Sequence, residues 1–168
     1  MSGEVAFGCA ISEDRQHGAI VAAGRSDIGK ILVDLAPFYD HPRFLVARME
    51  ELYLAHDPVV VVVNPKSQSA TLVRQLADVG IAVREMKAED VAVAHGEFLD
   101  LVNDGQLEHL DQQPLTDAVR ASQQRPLAGA LAWDQRLAVD QSPLIAATGA
   151  AWGYLRWEEL SRPAAYSI

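Results

Sequence analysis

Residues 59–65 read Val-Val-Val-Val-Val-Asn-Pro, five β-branched residues running straight into an Asn-Pro break. A strand this apolar is buried on both faces, as happens inside a sheet with helices on either side. Sheets of that kind place ligands and chemistry at the ends of their strands. Asn64 stands at such an end. A carboxylate there would suggest metal-dependent chemistry; an amide can offer a carbonyl oxygen but brings no charge.

Upstream of this strand, residues 4–12 (EVAFGCAIS) alternate Val5, Phe7, Cys9 and Ile11 on one face, with small residues between them. The pattern predicts a strand with another element packed tightly on its second face. Residues 18–24 (GAIVAAG) repeat the habit, Arg25-Ser26-Asp27 turns the chain, and 30–36 (KILVDLA) follows. Short strands with tight connections predict an antiparallel meander. Leu45, Met49, Leu52 and Tyr53 then keep helical spacing within 42–56.

Downstream, Leu72, Val73 and Leu76 mark a helix over 67–79 that Gly80 stops, and 81–86 reads as another strand. Helices are expected over 88–102 and 114–122, and residues 126–137 read as extended or irregular. A closing helix over 142–160 has Ser142 at the N-cap and Pro143 in the first turn. The order β-β-β-α-β-α-β-α-α-α predicts an α/β layered fold. Its mixed five-stranded sheet has three antiparallel strands, then two parallel ones, flanked by helices. With no internal repeat or linker, the expectation is one domain over 1–168.

Composition narrows the function. Acidic residues number 23 against 14 basic ones, a formal charge of −9, which argues against nonspecific coating of nucleic acid but leaves room for a local basic rim. Cys9 is the only cysteine, so no intramolecular disulfide can form; in its apolar setting it reads as a small core residue. No apolar run approaches the ~20 residues of a membrane span, and no signal peptide is evident. A reducing cytoplasm fits, with no membrane partner.

Three motifs fall away on inspection. Gly24–Lys30 (GRSDIGK) matches the front of a phosphate loop, but Ile31 stands where Ser or Thr must hold Mg²⁺, and a strand follows where a helix is needed. It reads as a hairpin turn. His95-Gly96-Glu97 lacks the paired cysteines of a zinc deaminase and reads as a surface or helix-end histidine. Gly149 and Gly153, four apart in the last helix, mark close packing.

The C-terminal half is more specific. Residues 125–153 read RPLAGALAWDQRLAVDQSPLIAATGAAWG. Arg-Pro-Leu, a Trp followed by Arg, Asp-x-Ser-Pro-Leu-x-Ala-Ala-Thr and a closing Trp-Gly resemble the nuclease domain of phage terminase large subunits, in the form found in actinobacterial phages and prophages. FGCAISEDR, VVVVNP and HGEFLDLVNDGQLEHL fit upstream in order, so the resemblance covers nearly the whole chain. It implies an RNase H-like fold and a Mg²⁺- or Mn²⁺-dependent endonuclease that cuts concatemeric double-stranded DNA during packaging. Such chemistry uses clustered carboxylates: one metal activates water and the second stabilises the leaving oxygen.

Carried over position by position, the acids survive only in part. The last falls on Asp140. The first falls on Ala10, within Cys9-Ala10-Ile11-Ser12-Glu13-Asp14-Arg15, and the middle one on Asn64. The implied metal positions are therefore Asp140 and Asn64, with Ala10 contributing nothing. Glu13 and Asp14 are conceivable replacements, yet Asp14 lies about 13 Å beyond Ala10 along an extended strand and would have to fold back. Lys66, Arg125 and Arg136 are the candidate DNA-facing bases, while Trp133 and Trp152 read as core.

The expectation is a terminase nuclease-like domain that is catalytically degenerate. The alternatives are an active endonuclease with Mg²⁺ or Mn²⁺, and a non-catalytic module for DNA, a packaging ATPase or another phage packaging component. Ala and Asn are also the replacements used to inactivate such a site by design, and the residues read the same either way. Met1 begins directly at the first strand and no complete Walker motif lies in the chain, so no packaging ATPase is expected within it.

Overall fold

A computed structural model describes residues 3–161. Three strands, β1 (Ala6–Ile11), β2 (Gly18–Arg25) and β3 (Ile31–Asp40), form the antiparallel meander. A short 3-10 turn over Pro42–Phe44 leads into α1 (Leu45–His56). The valine strand β4 (Val60–Val63) lies parallel to β1, and α2 (Ala70–Asp78) connects it to β5 (Arg84–Glu85). Then come α3 (Ala88–Asn103), β6 (Leu107–His109), α4 (Gln113–Ala121), the hairpin β7 (Gln124–Leu127) and β8 (Ala130–Trp133), and α5 (Ser142–Ser161). The main sheet has the order β5-β4-β1-β2-β3-β6.

The expected strands are all present, and a sixth, β6, adds itself in parallel beside β3. Its three residues are too few to show alternation, and Gly105, with φ of 64°, supplies the turn that delivers them. The strand expected over 81–86 shortens to Arg84–Glu85 because the Ile81 N–H is still bonded to the Leu76 carbonyl of α2, at 2.9 Å. Residues 126–137, expected to be extended or irregular, are largely the β7–β8 hairpin. Its two-residue turn has Ala128 and Gly129 at φ of 49° and 76°, as a type I′ turn requires. Gly24–Lys30 is a hairpin turn, with Ser26 N–H on the Lys30 carbonyl.

Strand alternation divides the core between the two faces. Phe7, Cys9, Ile11, Val61 and Val63 pack against Leu45 and Met49 of α1 and Leu72 and Leu76 of α2. On the other face Ala6, Gly8 and Ala10 meet α5. A Cβ on Gly8 would lie 2.1 Å from the Ala146 carbonyl oxygen, so this glycine is what lets the helix settle on the sheet. Helix α5 is buried nearly all round from Ser142 to Tyr154, which explains its lack of a polar stripe. Trp133 and Trp152 are core residues; Trp133 donates its indole N–H to the Thr148 hydroxyl at 3.0 Å. Burial pushes the Cys9 thiol up to about 12, so it is an inert core group. Among the described residues no helix is long and apolar enough to cross a membrane.

Candidate metal centre and adjoining groove

The parallel pairing of β1 with β4 puts Cys9 opposite Val63. One step further along each strand come Ala10 and Asn64, side by side at the sheet's centre. Pleating turns both toward α5, whose first residue, Ser142, follows Asp140 by two. The three positions that the resemblance assigns to acids therefore fall around one end of the sheet.

Their chemistry differs. Ala10 is 2% exposed, lies in the core cluster that also holds Leu144 and Ala146, and offers no donor atom. Asn64 is buried; its side-chain oxygen accepts the Lys66 N–H at 3.1 Å, the Asx turn that an Asn before a strand-to-helix turn makes. Hydroxyls then stitch this turn to β1. Ser67 donates to the Asn64 carbonyl at 2.8 Å and accepts from the Ser69 N–H, and the Ser69 hydroxyl accepts the Ile11 N–H at 2.9 Å.

Asp140 is heavily engaged. One oxygen accepts the Ser142 N–H at 2.8 Å; the other accepts the Ser142 hydroxyl and the Tyr39 phenol, each at 2.8 Å. Ser142 is thus the first residue of α5, one step inside the expected cap, and its N–H is satisfied by Asp140. Burial, and then the Asp140 carboxylate, push the Tyr39 phenol above its ordinary value, so it stays protonated and donates. His17 stacks on the Tyr39 ring with centroids 4.9 Å apart and planes 11° from parallel. Nothing in the sequence marked Tyr39, because its place depends on a bulge in β3.

Asp14 does fold back. The chain turns at Arg15, with φ of 58°, and the Ser12 hydroxyl and Gln16 N–H donate to the Asp14 carboxylate at 2.6 and 3.0 Å. The Ser12 bond is the main cause that holds this carboxyl below the usual range. Asp14 and Asp140 border one concavity with Glu13 and Arg136. Among the described residues, however, no three His, Cys, Asp or Glu side chains gather closely enough to hold a metal ion. The donors at the three implied positions do not fit a pair of divalent cations. Ala10 contributes none, the Asn64 oxygen is already accepting, and the Asp140 carboxylate has used three of its roughly four acceptor positions.

An adjoining groove unites the three expected bases, Lys66, Arg125 and Arg136, with Glu13 and Asp134 among them. Beneath it a cavity of about 30 Å³, bordered by Asn64, Trp133 and His95, has room for little more than water. His95 corrects an expectation: it is 3% exposed, packed edge-on against Trp133 at 4.3 Å, and not at the surface. Its position four residues after Val91 and three before Phe98 places it on the buried stripe of α3, a signal the spacing did contain. Both ring nitrogens lack a hydrogen-bond partner, and burial lowers the imidazole pKa.

A meander extended by parallel strands, with a buried helix crossing β1, β2 and β4, defines the RNase H-like nuclease fold. Phage large terminase nucleases share this fold. The nuclease of the large terminase from thermophilic phage G20c, solved with bound magnesium, superposes with a TM-score of 0.69 and 14% identity, covering 91% of this chain and 82% of that one. The large terminase of bacteriophage HK97 gives 0.68 and 14%, over 91% of this chain, which spans 40% of that protein's length. The yeast mitochondrial Holliday junction resolvase Ydc2 is more distant, at 0.54 and 10% over 93% of this chain and 79% of that one. No family model and no curated protein matches the sequence.

Proposed function

We propose that this chain is a terminase nuclease-like module of viral DNA packaging that has lost metal-dependent cleavage and retains binding. The observation that carries this reading is the composition of the sheet end: Ala10 and Asn64 stand where acids are implied, and Asp140 alone keeps its carboxylate. Mg²⁺ gives up its water reluctantly and favours charged oxygen ligands. One carboxylate that already accepts three hydrogen bonds offers it little. Two cations, as the cleavage chemistry uses, would find less still.

Support for a DNA partner comes from the groove beside Asn64. With an overall charge of −9, binding must be local, and Lys66, Arg125 and Arg136 outnumber Glu13 and Asp134 there. Double-stranded DNA is the first partner proposed, and the packaging ATPase or another packaging component the second, in the cytoplasm of the host cell. Replacing any of the three bases by Ala should weaken DNA binding on every sequence and lower the salt dependence by about one unit each. Lys87→Ala, outside the groove, serves as the control.

Cleavage is tested with supercoiled plasmid in Mg²⁺ and in Mn²⁺. The expected result is no nicking above a chelator control, and nicking regained when Ala10→Asp and Asn64→Asp are combined. The competing reading, an active endonuclease on concatemeric double-stranded DNA, draws on the magnesium and cobalt bound in two G20c nuclease structures. Cleavage by this chain that disappears in Asp140→Ala would establish it.

A further inference from the structure

We propose that Asp140 works here as a structural tie between β3 and the start of α5, with Tyr39 as its partner, at a place where the resemblance implies a metal ligand. The inference deepens the reading above and rests on it only for the claim that no cation competes for the carboxylate.

The backbone is shaped to bring Tyr39 there. In the pairing of β2 with β3, Ala19 faces Tyr39 but Val21 faces Leu35, so three residues of β3 stand against Ile20 alone. Extra residues of this kind bend a strand and re-aim a side chain. The ring is then held from its face by His17, whose N–H is in turn bonded to the Ser12 hydroxyl at 3.0 Å. Finally the phenol reaches Asp140 at 2.8 Å, across 101 residues of sequence.

At the other end of the tie, Asp140 meets α5 twice through Ser142. A carboxylate at a helix start complements the helix dipole and satisfies a backbone N–H that has no partner within the helix. Hydrogen bonds to a charged acceptor are also stronger than neutral ones. The chain of contacts runs from the β1–β2 turn through His17 and Tyr39 to Asp140 and the buried helix. That is a load path, and it needs no cation.

The sign of one substitution separates the two roles. Where carboxylates gather to collect cations they repel one another, so removing one relieves the folded state. Removing a tie weakens it. Wild type, Tyr39→Phe, Asp140→Ala and the double variant are melted in chelator and again in excess Mn²⁺, with Asp140→Asn as a milder second variant if Asp140→Ala does not fold. Each single change should lower Tm by about 2–6 °C. The double variant should melt no lower than Asp140→Ala alone, because both changes cut the same bond. A Tm raised by Asp140→Ala or Asp140→Asn, or fully additive losses, would overturn the tie. A Mn²⁺-induced rise in wild-type Tm that either Asp140 variant abolishes would instead overturn the loss of metal binding. The two readings therefore fail on different measurements.

Discussion

Gly8→Ala is the sharpest perturbation of this fold. The added Cβ would lie 2.1 Å from the Ala146 carbonyl oxygen and 2.8 Å from the Ala150 nitrogen. Carbon and oxygen settle at roughly 3.3 Å or more, so α5 would have to retreat by about 1.2 Å. Both obstacles are backbone atoms of a helix buried from Ser142 to Tyr154, so no rotamer change gives way. Overpacking of this sort costs 1–3 kcal/mol or more, and the upper end, about 3 kcal/mol, applies here. In a chain of this size that is roughly 6–12 °C of Tm. Two other glycines serve as internal standards. A Cβ on Gly149 would meet only Val62 and Met86 side chains, at 3.5 and 3.7 Å, so Gly149→Ala should gain about 0.5–1 kcal/mol from helix propensity. At Gly153 the nearest atom is a Val62 methyl carbon at 2.5 Å; valine is stiff, and the loss should be intermediate. Calorimetric melts with guanidinium midpoints at constant slope rank the variants. If Gly8→Ala melts within about 2 °C of wild type, α5 does not lie against β1 in this register.

Two further predictions concern places away from the sheet end. Burial lowers the His95 pKa in the fold, and its ring nitrogens have no hydrogen-bond partner among the described residues, whereas an unfolded histidine binds its proton near pH ~6.5. The unfolded chain therefore holds more protons below that pH, and stability should fall as pH drops from about 6.5 toward the depressed folded value. His95→Leu should flatten this slope between about pH 7 and 5, read as the difference in denaturant midpoint from wild type. Ala128 occupies a left-handed position in the β7–β8 turn, φ 49°, followed by Gly129. Ala128→Asn creates the favoured Asn-Gly turn and should raise stability by about 0.5–1 kcal/mol, seen as a small rise in Tm with DNA binding unchanged.

What could be read in advance followed from elements whose signal lies in their own residues. Five valines name a central strand because a strand buried on both faces has no polar positions to spare. The alternation of Ala6, Gly8 and Ala10 with Phe7, Cys9 and Ile11 announced a close neighbour on one face, and α5 is that neighbour. Ala10, Asn64 and Asp140 were linked by the resemblance, and the strand pairing sets the first two side by side. Other features depend on contacts between distant segments. β6 is a strand only because β3 offers it an edge, and Asp14 turns back because Ser12 and Gln16 catch it. Tyr39 meets Asp140 through a bulge that no pattern in residues 31–40 foretells. His95 is a different failure, since its place on the apolar stripe of α3 was visible and its polarity argued the other way.

The burial of Ala10 bears on how reversible the proposed loss of cleavage would be. Its side chain is 2% exposed, in the core cluster that joins β1 to α5 and includes Leu144 and Ala146. An aspartate there would bring a buried charge that must find compensation, and burying an uncompensated charge is costly. Each neighbour that adapts to the methyl raises the stability a reversion would forfeit. If an acid once stood at this place, as the proposed loss of cleavage implies, each such adaptation makes the way back steeper.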